Sequence, residues 1–380
     1  TLEDLRMSGT KDEKTEVLKE LPEIRFLRFN STPISSLSNL SNLKKLEQLS
    51  FSATKINDIS LLSQFPNLKV VYFNNTSISD LTPLEKCEKI EKIYCDNTGI
   101  DEAKASAFMS KKPNSLVIYN SDILKKWWED MSAEWKKVFA EDLKTETPGI
   151  EQLHRLSMKQ DVSLAGKTAI VTLDPVSKFT HLSKLDVSGS GISDLSPVKN
   201  LLDLQELNCS NTKVTKLDAL SSLKRLVKLD CSNTQISSLA PVANCDNLEI
   251  INADKTQISN LTGLSKLTRL KKIYADNTQL TKDSVSAYKL ENGNCLVIYR
   301  TEELKKWWTE LDKDWQEVFK KSVAFNETPD REQLHQITML KAVDLKDKND
   351  ISNLKPLEML EFLESIKFTD TRISDLSPIA

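Results

Sequence analysis

Leu229 to Ile251 reads L-D-C-S-N-T-Q-I-S-S-L-A-P-V-A-N-C-D-N-L-E-I-I, and the same pattern returns when the frame moves 22 residues either way. Threonine keeps this step at Thr10, Thr32, Thr54, Thr76 and Thr98, then at Thr212, Thr234, Thr256 and Thr278. Two places later an aliphatic residue keeps the same beat: Ile34, Ile56, Ile78, Ile100, Val214, Ile236, Ile258 and Leu280. Ahead of each threonine runs L-x-x-L-x-L, whose alternation suits a short strand with one side buried.

A fixed period in this range, with L-x-x-L-x-L leading into a turn, is the sign of a leucine-rich repeat solenoid. The expected fold class is therefore α/β, with short parallel strands stacked on a concave face. Each coil contacts only its neighbours, so the 380 residues need no single globular core. Strand positions at Leu5/Met7, Leu27/Phe29, Leu49/Phe51, Val71/Phe73, Ile93/Cys95 and Leu116/Ile118 define a first block, residues 1–119. Proline at Pro83, Pro197 and Pro241 suits a non-helical return behind the strands. The threonine hydroxyls are expected to bond backbone groups of the neighbouring coil, as a structural ladder.

Residues 120–161 break the period and read as a helical module, as do residues 300–342. Trp128, Met131, Trp135 and Val138/Phe139 share one helical face, Ser132 can cap a second helix, and Thr147-Pro148 signals the start of a third. Residues 101–111 and 281–291 also look helical. A second repeat block spans 162–299, and a third opens at 343 and runs to 380. Trp128 to Trp308 and Thr98 to Thr278 are each 180 residues apart, so a larger unit is repeated above the coil. The chain opens and closes at one phase of that unit, as a piece of a longer tandem array would, and no leader is visible at Thr1.

Composition narrows the function. With 52 basic and 55 acidic residues the net charge is −3, which argues against a nucleic-acid partner. No apolar run approaches membrane-spanning length. Cys95, Cys209 and Cys231 take an inward strand position and Cys87 and Cys245 an inward position behind it, where thiols act as small hydrophobes. Cys209 and Cys231 fall on adjacent coils, where a bridge would be strained. All six tryptophans lie in the two modules. They could form a partner-docking or membrane-surface face, but the recurrence of that face with Lys and Glu opposite reads as core. His154, His181 and His335 have no nucleophile or carboxylate at matching positions. Neither nucleotide-binding loops nor hydrolase motifs are present, so neither an enzyme nor a cofactor nor a metal is expected. Triplets of the form N-x-[S/T], at Asn30, Asn74, Asn208, Asn260 and Asn326, arise from the repeat itself.

The outward strand positions are the candidate binding residues. In the first block they include Phe26, Arg28, Gln48, Tyr72 and Tyr94, with Asp96 beside them. In the second they include Asp186, Asn208, Asp230, Asn252 and Tyr274, with Asp276. The first strip is aromatic with some positive charge and the second mostly polar and acidic. Exposed aromatics beside an arginine are what interface hot spots favour.

The run N-T-Q-I-S-S-L-A-P-V-A-N-C-D-N-L-E at 233–249, with I-S-D-L-T-P-L at 78–84 and I-S-D-L-S-P at 192–197 and 373–378, resembles the 22-residue repeats of the internalin class. The resemblance implies a bacterial surface or secreted protein shaped as a curved ribbon that binds partners on its concave side. Threonine in place of asparagine, the tryptophan-rich modules and the lack of a visible cell-wall anchor depart from that class. The segment W-x(6)-W-x(2)-V-F followed by T-P-x-x-E-Q-L is similar to helical caps that precede repeat blocks in other bacterial leucine-rich repeat proteins. The expected role is a non-enzymatic scaffold recognising a protein or glycan, extracellular or at the cell surface. The alternatives are a rod assembling end to end and, for location, the cytoplasm.

Overall fold

The computed structural model describes residues 2–10, 15–325, 327–346, 348–369 and 371–379; the triplet at Asn326 begins outside them. The chain forms two compact units, residues 1–157 and 158–380. In the first, the parallel strands Asp4–Arg6, Phe26–Arg28, Gln48–Ser50, Val70–Tyr72, Lys92–Tyr94 and Leu116–Ile118 pair in chain order. In the second, Asp161–Ser163, Lys184–Asp186, Glu206–Asn208, Lys228–Asp230, Ile250–Asn252, Lys272–Tyr274 and Leu296–Ile298 do the same, and Ala342–Asp344 pairs with Ser365–Lys367. Leu27 lies beside Leu49, and Leu229 beside Ile251, so each strand meets the equivalent triplet of the next coil.

Alternation along each strand sorts the side chains. Leu27, Phe29, Leu49, Phe51, Val71 and Phe73 are all buried. Phe29, Phe51 and Phe73 stack behind the sheet with centroids 6.1 and 5.9 Å apart. All six cysteines are buried and free, and the bridge conceivable between Cys209 and Cys231 is not formed. Burial pushes the Cys209 thiol up to about 12.

The threonine column is structural, but its hydroxyls bond within their own coil and not to the neighbour. Thr32 donates to the Phe29 carbonyl at 2.8 Å, Thr76 to Phe73 at 2.7 Å and Thr234 to Cys231 at 2.6 Å. Coil-to-coil bonds come from the backbone one residue earlier: Asn75 N–H donates to Asp96 at 2.8 Å, and Asn233 N–H to Asp254 at 2.8 Å. That preceding residue is left-handed at Ser31 (φ 55°), Ala53 (55°), Asn75 (57°), Asn97 (53°), Asn211 (57°), Asn233 (52°), Lys255 (55°) and Asn277 (55°), with Gly189 (63°) in the same place. Asparagine and glycine are the residues that reach this region at least cost, which explains the N-T dipeptide.

The return behind the strands is a 3₁₀ turn where the sequence suggested a non-helical path. Pro83, Pro197 and Pro241 are the second residues of the turns Thr82–Lys86, Ser196–Asn200 and Ala240–Asn244, within the first turn, where no donor is needed.

The helices are α1 (Glu102–Lys111), α2 (Ser121–Asp130), α3 (Ala133–Leu143), α4 (Ile150–Ser157), α5 (Lys282–Glu291), α6 (Thr301–Glu310), α7 (Lys313–Val323) and α8 (Arg331–Thr338). Ser132 caps α3 as expected, accepting from Trp135 N–H at 3.4 Å. Thr147-Pro148 does not open the last helix of its module, which starts two residues later. Gln152 reaches back to accept from Gly149 N–H at 2.8 Å, and in the second copy Asp330 and Gln333 form a reciprocal cap at 2.8 and 2.9 Å. A side chain that can reach back to the orphan donors fixes the start better than the Thr-Pro pair.

Trp128, Trp135, Trp308 and Trp315 are buried, with Trp135 against Phe139 and Trp315 against Phe319. The tryptophan face is therefore core. In the second unit it joins Val343, Leu345 and Leu354 in one apolar cluster, so the module packs on the first coil of the third block. No described helix is long and apolar enough to cross a membrane.

Candidate functional site

Parallel register turns the outward residues of each sheet into columns. In the first unit one column is Phe26, Gln48, Val70 and Lys92, and the next is Arg28, Ser50, Tyr72 and Tyr94. A third row, just past the strands, belongs to the scaffold. Asn30 accepts from Ser50 Oγ at 2.7 Å and Ser52 N–H at 2.8 Å, and Asn74 accepts from Asp96 N–H at 2.8 Å.

The columns end against the helical module. Glu151, the second residue of α4, accepts from the Tyr94 hydroxyl and pairs with Lys92 at 2.8 Å. Lys92 and Tyr94 together hold the Glu151 carboxyl below its usual range, and burial with the Glu151 contact raises the Tyr94 hydroxyl. Tyr94 in turn stacks on Tyr72, centroids 4.2 Å apart and rings within 10° of parallel. Asp96 accepts from Ser121 N–H and Ser121 Oγ, each at 2.7 Å, which fastens the start of α2 to the sheet. Its carboxylate is thus spent inside the chain. Phe26 is 36% exposed, and the Arg28 side chain stands outside any ion pair among the described residues.

The second unit repeats the arrangement with different chemistry. Tyr274 donates to Glu332 and Lys272 pairs with Glu332 at 2.5 Å; Lys272 first and Tyr274 second hold the Glu332 carboxyl low. Asp276 accepts from Thr301 N–H at 2.8 Å and Thr301 Oγ1 at 2.6 Å. Where the first copy has Ile150, the second has Arg331, whose guanidinium lies 4.3 Å over the Tyr274 ring and pairs with Asp254 at 2.7 Å.

Along this sheet Asp186, Asn208, Asp230 and Asn252 form one column, beside Lys184, Glu206, Lys228 and Ile250. A groove of about 570 Å³ runs over both, closed at one end by Tyr274 and Arg331. Its cations are matched internally: Lys184 and Lys228 both reach Glu206 at 3.4 Å. Asp186 and Asp230 each accept the backbone N–H two residues on, at 2.9 Å, and Asn252 donates to the second oxygen of Asp230 at 2.9 Å.

The twelve candidates therefore separate. Phe26, Arg28, Gln48 and Tyr72 form one open patch; Asp186, Asn208, Asp230 and Asn252 form the floor of the groove. Tyr94, Asp96, Tyr274 and Asp276 sit at the block ends with their polar atoms committed to the modules. Sequence reasoning missed Glu151, Glu332 and Arg331, which lie 57 to 77 residues from their partners. The signal available was the recurrence of K-x-Y and E-Q-L at matching places in both copies.

His154 and His335 are buried. His335 Nε2 lies 2.9 Å from Tyr299 N and 3.0 Å from the Tyr299 carbonyl oxygen, and its Nδ1 meets the Arg331 carbonyl at 2.7 Å. Burial lowers both histidines, His154 to about 4.

A family model for leucine-rich repeats (2 copies) matches residues 203–244. The coils have the leucine-rich repeat fold. Solved structures similar to this repeat protein include an internalin of Listeria monocytogenes, at TM-score 0.31 and 19% identity over 97% of this chain and 87% of that one. Another is the functional domain of InlJ from the same organism, at TM-score 0.35 and 17% identity over 96% and 69%. A leucine-rich repeat protein of Leptospira interrogans matches at TM-score 0.32 and 15% identity over 77% and 94%. No curated protein matches it.

Proposed function

We propose that this repeat protein is a non-enzymatic binding scaffold that recognises a protein partner on the sheet face of its first block. One observation carries the reading: Tyr72 is stacked flat on a Tyr94 that Glu151 and Lys92 hold from the block end. A preordered aromatic surface loses little side-chain entropy when a partner covers it, and Arg28 adds an uncommitted charge beside it. A glycan remains the alternative ligand for the groove of the second block, where carboxylates alternate with amides. In the same reading the chain divides into blocks 1–119, 162–299 and 343–380, joined by modules 120–161 and 300–342. An extracellular or surface location belongs to this proposal and rests on the resemblance of the repeats to the internalin class.

The test is capture from a host-cell surface extract by the immobilised chain, compared with the variant F26A/R28A/Y72A. Both must show the same far-ultraviolet spectrum and melting temperature. A partner retained by the native chain and lost by the variant supports the proposal; equal capture by both refutes it.

A further inference from the structure

We propose that the far end of the second block is a selective docking surface for the repeat block that follows, and that Lys289, Arg300 and Glu361 set which block it accepts. Glu361 sits at the start of the second coil of the third block, with its side chain 3% exposed. Its Oε1 accepts from Arg300 Nη2 at 2.6 Å and from the Tyr299 hydroxyl at 2.9 Å. Its own backbone N–H donates to the Thr338 carbonyl at the end of α8 at 3.0 Å. The next residue, Phe362, lies under the ammonium of Lys289, 5.2 Å from its ring centre, and Lys289 is 3% exposed. Two cations and one carboxylate are thus closed into a joint between blocks. Among the described residues Arg300 Nε and Glu361 Oε2 are buried there without a partner.

The first copy of the unit carries none of these charges at the same places. One period of 180 residues earlier, Lys289 is Met109 and Arg300 is Asn120; at the matching step of 181, Glu361 is Thr180 and Phe362 is His181. The charged set is thus present together in the second copy of the sequence and absent together from the first. The backbone supports a role for the Arg300 side chain. Asn120 and Arg300 both hold left-handed conformations, φ 52° and 49°. Asparagine takes that conformation more readily than arginine, and Lys144 and Lys255 also hold it in this chain, so the turn by itself tolerates arginine without selecting it.

Buried charge of this kind favours selectivity over strength. A matched pair does little better than a well-packed apolar joint, whereas a block lacking the acid leaves Lys289 buried and Arg300 with only the more exposed Glu303, 3.5 Å away. The surface therefore rejects a block of the neutral type more than it rewards its own.

Hydrogen exchange followed by mass spectrometry on the full chain tests this, because exchange reads the local opening of each segment. In E361T/F362H, and separately in R300N, exchange across 343–368 is expected to quicken at least about tenfold while 184–280 is unchanged, as for an unpaired buried charge. In K289M/R300N/E361T/F362H, which gives both sides the neutral set, exchange is expected to return to within about threefold of the native chain. Unchanged exchange in the first two variants overturns the proposal. So does a fourfold variant as open as the mismatched ones, or a loss of protection that spreads through 184–280.

Discussion

Replacing Asp96 by alanine is expected to loosen the helical module from the first block while leaving Phe26, Arg28 and Tyr72 in place. Asp96 holds two donors of Ser121, the backbone N–H and the hydroxyl, each at 2.7 Å, and Ser121 is 5% exposed. Hydrogen bonds to a charged group contribute about 1.5 kcal/mol or more each, so the pair accounts for about 3 kcal/mol. The carboxylate also faces the N-terminus of α2, which adds about 0.5 kcal/mol. Alanine leaves both donors buried with nothing to bond. A loss of about 3 kcal/mol quickens exchange by roughly a hundredfold, at 1.36 kcal/mol per decade. Mass spectrometry should show that change in 116–157, with 26–73 and the whole second unit much less affected. Asp276→Ala should act alike on 296–338, where Thr301 supplies the same two donors. Exchange in 116–157 altered by less than about threefold would refute the anchoring role and return Asp96 to the recognition surface.

The Lys289 ammonium is lowered by burial to about 8, so the unfolded chain holds its proton to higher pH than the folded one. Stability at this position should rise from pH 8 to pH 10.5 by about 3 kcal/mol, read as the difference in urea midpoint between the native chain and K289M; parallel profiles would contradict it. His154, lowered to about 4, works in the opposite range. Its ring should stay neutral in the folded state until well below pH 6, and up to about 3 kcal/mol should be lost as the pH falls from 6.5 to 4. A nuclear magnetic resonance titration placing it near 6.5 would show the burial to be wrong. The six thiols should resist Ellman's reagent at pH 8 in the folded chain and react on unfolding, since burial raises Cys87, Cys209 and Cys245 to about 11, 12 and 11. Prompt labelling of the folded chain would argue against that burial. Thr234→Val should cost about 1 kcal/mol through the lost bond to Cys231, seen as a lower melting temperature.

The coil and its period were legible because they follow from repetition: alternation placed Leu27, Phe29 and their equivalents inside, and the tryptophan face was recognisable from helical spacing. The partner of each threonine was not legible. Its hydroxyl reaches equally well in principle to its own coil or the next, and only the left-handed residue before it decides. The start of α4 was misplaced because Gln152 reaches back to the orphan donor that Thr147-Pro148 was expected to serve. The block ends were hidden for a different reason. Which face of a helix lands on which strand depends on packing across some sixty residues, and nothing local to Tyr94 announces Glu151.

The last strand of each long sheet, Leu116–Ile118 and Leu296–Ile298, is buried on both faces, unlike the half-exposed strands before it. Near-identical coils carry an inherent folding hazard, because any strand can dock beside the wrong neighbour and shift the array by a whole turn. A terminal strand that only a helix can cover gives each run a fixed stop. Mispaired turns are then confined to half a dozen candidates, and a ribbon of many such runs can grow without its errors compounding.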